Sequence, residues 1–126
     1  MYLSEVIQFQ TVYNTLAEIK LPFKIAYKLN KINEEAQKEA EWYNKEFDAI
    51  LNEYGMKDED GHFVRANDGM SIKIQDGREN ECQAKIQELA RVDVELKSPK
   101  LTIDDLSQMD AELTVREVAI LMNFIE

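Results

Sequence analysis

Residues 22–54, PFKIAYKLNKINEEAQKEAEWYNKEFDAILNEY, decide the fold. After Pro22 neither Gly nor Pro occurs until Gly55. Ile25, Leu29, Ile32, Ala36, Ala40, Tyr43, Phe47, Ile50 and Tyr54 recur every three or four residues and trace one face of a helix. The opposite face carries Lys28, Lys31, Glu34, Glu35, Lys38, Glu41, Lys45 and Glu46, with i,i+4 pairs of opposite sign at Glu34/Lys38 and Glu41/Lys45. The spacing predicts a single amphipathic helix, near 50 Å long at about 1.5 Å per residue. Such a helix is long for a chain of 126 residues, so one end is expected to project beyond the compact body or to pack on another subunit. Ala36 and Ala40 are small enough to let a second helix approach closely. Gly55 is placed to stop the helix as its C′ residue.

Upstream, Ser4 is expected to cap a first helix, with Glu5 beside its positive end. Val6, Phe9, Tyr13 and Leu16 follow at helical spacing, and Pro22 suits a first helical turn. Folded back on the long helix, this segment gives a helical hairpin over residues 1–54. Downstream, MKDEDG reads as a polar turn. His62–Arg65 and Met70–Ile74 read as short strands joined by a tight turn at Ala66-Asn67-Asp68-Gly69. A helix is expected over Glu79–Ala90 with Cys82, Ile86 and Leu89 inward. Val92, Val94 and Leu96 alternate with Asp93, Glu95 and Lys97, the period of a strand. Leu101 and Ile103 suggest one more short strand, and Asp104 a cap for a brief helical turn through Met109. Thr114 and Glu117 form a capping-box pattern ahead of Val118, Leu121, Met122 and Ile125 at helical spacing. The expectation is one α+β domain, mainly α, spanning 1–126. It comprises the hairpin of residues 1–54 and a smaller part, 55–126, with an antiparallel sheet and two further helices. If residues 62–75 are irregular, the protein is nearly all-α.

Composition narrows the function. The formal charge is −10, with nine acids and six bases in residues 1–55 and sixteen acids and nine bases in residues 56–126. Such a chain is repelled by DNA, RNA and anionic lipid. The acids are read as a solubility surface or as a face for a basic partner. No stretch approaches the roughly 20 apolar residues that span a bilayer, and MYLSEVIQFQ has neither the basic nor the apolar region of a secretory signal. Cys82 is the single cysteine, so neither an internal disulfide nor a cysteine-pair zinc site is available. His62 is the single histidine and sits in a polar turn without a nucleophile elbow nearby. No phosphate-cradling glycine motif is present. Asp58-Glu59-Asp60-Gly61 resembles the start of a calcium loop, but with Asp58 as position 1 the glycine falls at position 4, whereas an EF-hand requires it at 6. No catalytic, cofactor-binding or metal residue is expected.

The run LPFKIAYKLNKI opening a long charged helix, then EYGMKDEDG, short strands, IQELARVDVEL and LTVREVAILMNFIE, resembles in order a group of small uncharacterised proteins of tailed bacteriophages and prophages. The resemblance rests on structural punctuation and helix faces, and implies a bacterial cytoplasm or a virion and a non-enzymatic role. Two functional expectations follow. One is a small phage structural or assembly component that contacts a protein partner, or itself, through Trp42, Tyr43, Phe47, Ile50 and Tyr54 of the long helix. The other is an acidic, DNA-mimicking inhibitor of a host nucleic-acid-binding or defence protein. The fifteen basic residues interspersed with the acids depart from that second pattern.

Overall fold

The computed structural model describes residues 1–66 and 69–126. The protein is mainly helical, with a small antiparallel sheet. Its elements are α1 (Leu3–Leu16), α2 (Phe23–Tyr54), β1 (Arg65–Ala66), β2 (Ser71–Ile72), α3 (Glu79–Ala90), α4 (Ile103–Gln108) and α5 (Val115–Met122). The long helix is continuous over the predicted stretch. The chain divides into two compact units, Met1–Glu41 with Asp93–Glu126, and Trp42–Val92. The division falls inside α2 and not at the 54/55 junction.

In the first unit, α1 buries Leu3, Val6, Phe9, Val12 and Leu16 completely or nearly so. Val12, not Tyr13, completes the inward stripe; Tyr13 is half-buried. Ser4 does not cap the helix. The N-cap is Tyr2, whose backbone N–H donates to the Glu5 carboxylate at 2.9 Å. The helix that comes closest to α1 is α5, and the Phe9 ring packs against Phe124 with centroids 4.8 Å apart. The C-terminal turn of α1 and the first turns of α2 line a shared groove through Leu16, Ala17, Ala26 and Leu29. Ile25, Leu29, Ile32 and Ala36 of α2 are buried as their spacing predicts.

Of the alternation predicted over residues 92–96, Val94 is buried and Leu96 half-buried, but Val92 is exposed along with Asp93 and Glu95, and the segment does not form a strand. Tyr2 and Asp93 make an isolated bridge, and the Val94 N–H donates to the Met1 carbonyl. Beyond them the segment is fastened to α2 by side chains. The Lys97 N–H donates to Glu35 at 2.9 Å, and the Ser98 hydroxyl donates to Glu35 and to the Lys31 carbonyl. Burial of Glu35 opposes its ionisation, and these donors outweigh burial, leaving its pKa below the ordinary value.

Leu101 pairs with Ile125 in an isolated parallel bridge, and Ile103 begins α4 instead of extending a strand. Thr102, not Asp104, caps α4: its hydroxyl accepts from the Asp105 N–H, and Asp105 accepts from the Thr102 N–H. The Thr114/Glu117 capping box forms as predicted. The inner face of α5 is rotated from the expected one. Leu121 and Phe124 are buried, whereas Val118 and Met122 are exposed.

Asp105 is buried and ion-paired with Lys28 at 2.7 Å, fastening α4 to α2. Burial alone would push its carboxyl up, but the Lys28 ammonium and the Thr102 bonds hold it below the ordinary carboxylate range. Its folded pKa therefore lies below the unfolded value of about 3.9. The stability it contributes is complete above that pH and is lost as pH falls towards the folded value. Lys28→Met leaves the carboxylate buried without its cation and should cost about 3–5 kcal/mol near neutral pH. The difference in stability between wild type and variant should narrow as pH drops below about 4. Urea unfolding of both proteins across that range checks the sign and the size.

Candidate protein interface on the second half of the long helix

The second unit begins with Trp42–Tyr54 of α2. Gly55 ends the helix, but not through the left-handed conformation expected of a C′ glycine. Positive φ is found at Gly61, Gly69 and Gly77, not at Gly55. Its constraint is space. A Cβ at Gly55 would lie 2.5 Å from the Leu51 carbonyl oxygen and 2.7 Å from the Phe63 ring. The chain then passes antiparallel to two later segments, with bridges Lys57↔Phe63 and Gly55↔Ile74 flanking the β1/β2 pair. Arg65 faces Ile72 and Ala66 faces Ser71, so the ladder is shorter than the two predicted strands. The predicted turn includes Asn67 and Asp68, which lie outside the described residues.

Gln75 closes the free carbonyls at the end of α2. Its amide donates to the carbonyls of Glu53 and Gly55, both at 3.2 Å, while its backbone N–H donates to the Tyr54 carbonyl at 2.9 Å. Four unpaired C=O groups at a helix end need such donors. Arg78 lies beside the same helix end, where a cation is favoured. Its guanidinium stacks over the Tyr54 ring at 4.3 Å and pairs with Glu81 at 3.3 Å and Glu53 at 3.9 Å.

These contacts sort the five residues proposed to bind a partner. Tyr54 is buried under Arg78, within the unit's own core. Tyr43, Phe47 and Ile50 are half-buried, and Trp42 is 45 % exposed. Phe47 and Ile50 are therefore not fully buried within the single chain. Tyr43 and Phe47 stack on each other, ring centroids 5.8 Å apart. The outward surface is thus a short aromatic and aliphatic strip. Glu46 and Glu53 stand one helical turn from Tyr43 and Ile50 and edge it with acids, whereas Glu41, Lys45 and Asp48 lie on the other side of the helix.

The other candidate chemistry in this unit is local. Cys82 is buried, and burial pushes its thiol up, so it rests as a neutral, packed thiol. Asp58, Asp60 and His62 stand within 4.8 Å of one another, all exposed. The Asp58 carboxylate accepts from the N–H groups of Asp60 and His62, which makes it the organiser of this turn. No described helix is long and apolar enough to cross a membrane. Compared with protein-family models, curated proteins and solved structures, the chain matches none.

Gly55→Ala should destabilise the protein by about 1–3 kcal/mol, because the methyl must displace backbone or ring. Gly61→Ala has open space around its Cβ but a left-handed φ of +81°, so it should cost about 1 kcal/mol. Thermal unfolding of the two variants should therefore rank Gly55→Ala as the worse, through packing and not through φ.

Proposed function

We infer that the protein is a non-enzymatic interaction component, and that the second half of α2 docks a protein partner in the assembly of a phage particle. The observation that carries this reading is the strip of Trp42, Tyr43, Phe47 and Ile50, of which Trp42 is 45 % exposed and the other three are left partly exposed. Large side chains each gain about 1.5–3 kcal/mol on full burial, and a contiguous group left in water usually marks an interface. The acids edging the strip fit an amphipathic partner helix whose apolar stripe is flanked by Lys or Arg, a common helix-to-helix mode. Two copies meeting through the same strip would oppose Glu46 with acids, so a basic partner is favoured over a second copy here. The phage setting rests on the order of sequence motifs alone.

Phe47→Ala tests both parts. Since Phe47 is half-buried, its truncation should lower stability by about 1–2 kcal/mol, less than the 3–5 of a core phenylalanine. In phage-producing cells the wild-type chain should co-purify with particles or assembly intermediates, and the variant should be depleted from them by roughly tenfold or more. Trp42 is the single tryptophan, so its emission should shift to shorter wavelength when the partner covers it. Absence of the wild-type protein from particles, with salt-sensitive recovery of a basic host protein, would replace this reading with the inhibitor one.

A further inference from the structure

Two adjoining surface patches belong to the unit of residues 1–41 and 93–126. The first is basic and aromatic. Between Glu18 and Glu34 the chain carries Lys20, Lys24, Lys28 and Lys31 and no acid. At about 100° per residue, Phe23, Lys24, Tyr27 and Lys31 share a sector of α2 opposite the buried Ile25, Leu29 and Ile32. Phe23 is 86 % exposed and Tyr27 50 %. The Lys31 ammonium lies 5.6 Å from the centre of the Tyr27 ring.

The second patch is apolar and acid-rimmed. A groove is lined by Ile103, Leu106, Met109, Leu113 and Val118 of α4, α5 and the segment between them. Ile103 is 59 % exposed. Met109, Ala111 and Leu113 line the groove, while Asp110 and Glu112 between them are exposed, as is Asp104. Arg116 is the single base in residues 101–126, against six acids. The Lys28–Asp105 pair joins the two patches. Lys28 lies on the flank of the basic sector and Asp105 on α4 beside Asp104, so the 2.7 Å bond holds together the two helices that carry the patches.

We propose that this face pairs with the same face of a second copy about a two-fold axis. Phe23 and Tyr27 of one protomer enter the groove of the other, and Lys20 and Lys24 meet Asp104, Asp110 and Glu112. A two-fold axis makes each contact twice. The occupant is a second copy because the face carries both signs. A wholly basic or wholly acidic partner satisfies one half and is repelled by the other, whereas the face rotated on itself satisfies both. This pairing uses neither Trp42 nor Phe47 and stands independently of the partner proposed for them.

Sedimentation equilibrium on the full chain tests it. The wild-type protein should show a reversible monomer–dimer equilibrium that weakens with added salt. The double reversals Lys20→Glu/Lys24→Glu and Asp110→Lys/Glu112→Lys change exposed side chains, and circular dichroism should show both folded. Each should weaken dimerisation by roughly tenfold or more. Mixed in equal amounts, the two should form a heterodimer, because both half-sites regain opposite charges. Phe47→Ala should dimerise as the wild type does. A wild-type protein that stays monomeric at its highest soluble concentration, reversals without effect, a mixture that fails to pair, or loss of the dimer in Phe47→Ala would each overturn the proposal.

Discussion

A helix of 32 residues must find cover for an apolar stripe along its whole length, and the rest of the chain is arranged by that constraint. At about 1.5 Å per residue α2 is near 48 Å long, while the 14 residues of α1 reach only about 21 Å. One flanking helix cannot cover the stripe. The protein divides the task. Residues 1–41 and 93–126 form one compact unit around Ile25, Leu29, Ile32 and Ala36, and residues 42–92 form another that buries Tyr54. The large side chains of the stripe between those buried ends, Tyr43, Phe47 and Ile50, are only partly covered.

Polar bonds from side chains of later segments to α2 take the place that sheet ladders would otherwise hold. Asp105 reaches Lys28, Ser98 reaches the Lys31 carbonyl and Glu35, and Gln75 reaches the carbonyls at the helix end. Ser98 and Gln75 tie irregular backbone to a rigid rod, and Asp105 ties α4 to it. A charged helix face is normally read as a solvated one. Here Lys28 and Glu35 on that face are anchors for segments 62 to 77 residues away in sequence. Both acids of these networks, Glu35 and Asp105, have pKa values below the ordinary one: burial alone would raise them, and the donors aimed at each carboxylate outweigh it.

What the sequence disclosed follows from which interactions are local. The extent of α2, the Thr114/Glu117 box and the inward Cys82 and Leu89 depend on periodicity or on bonds three residues apart, and they were legible. The Val92–Leu96 strand was not, because a sequence does not record how long a neighbouring backbone stays in reach: only Met1 and Tyr2 pair with it, at Val94 and Asp93, and Val92 is left exposed. Thr102 was overlooked beside Asp104, although Thr-x-x-Asp is a capping-box spacing. Gly55 was correctly placed as a stop for the wrong reason, since its constraint is the Phe63 ring eight residues on. Of the candidate site, Tyr54 was indistinguishable by spacing from Tyr43 and Phe47. Arg78, just after the turn at Gly77, lies over the Tyr54 ring, which is buried while Tyr43 and Phe47 stay half-buried.

The charge of α2 also has an order that counting acids and bases over halves of the chain conceals. Four lysines without an acid occupy residues 19–33, and five acids with one lysine occupy residues 39–54. Within the helix this order runs against the macrodipole, which favours acids near the N-terminus and bases near the C-terminus. Local helix stability would select the reverse. Part of the cost is met within the fold: Lys28 is neutralised by Asp105, and the acidic end is faced by Arg78 and capped by Gln75. Lys24 in the first turn has no such partner within the fold, and the middle of the helix carries Glu39, Glu41 and Glu46 against one base, Lys45. On the two interfaces proposed above, a charge pattern that opposes the dipole and leaves aromatic side chains exposed within each block would have its reason outside the single chain, in surfaces that distinguish one partner from another by sign.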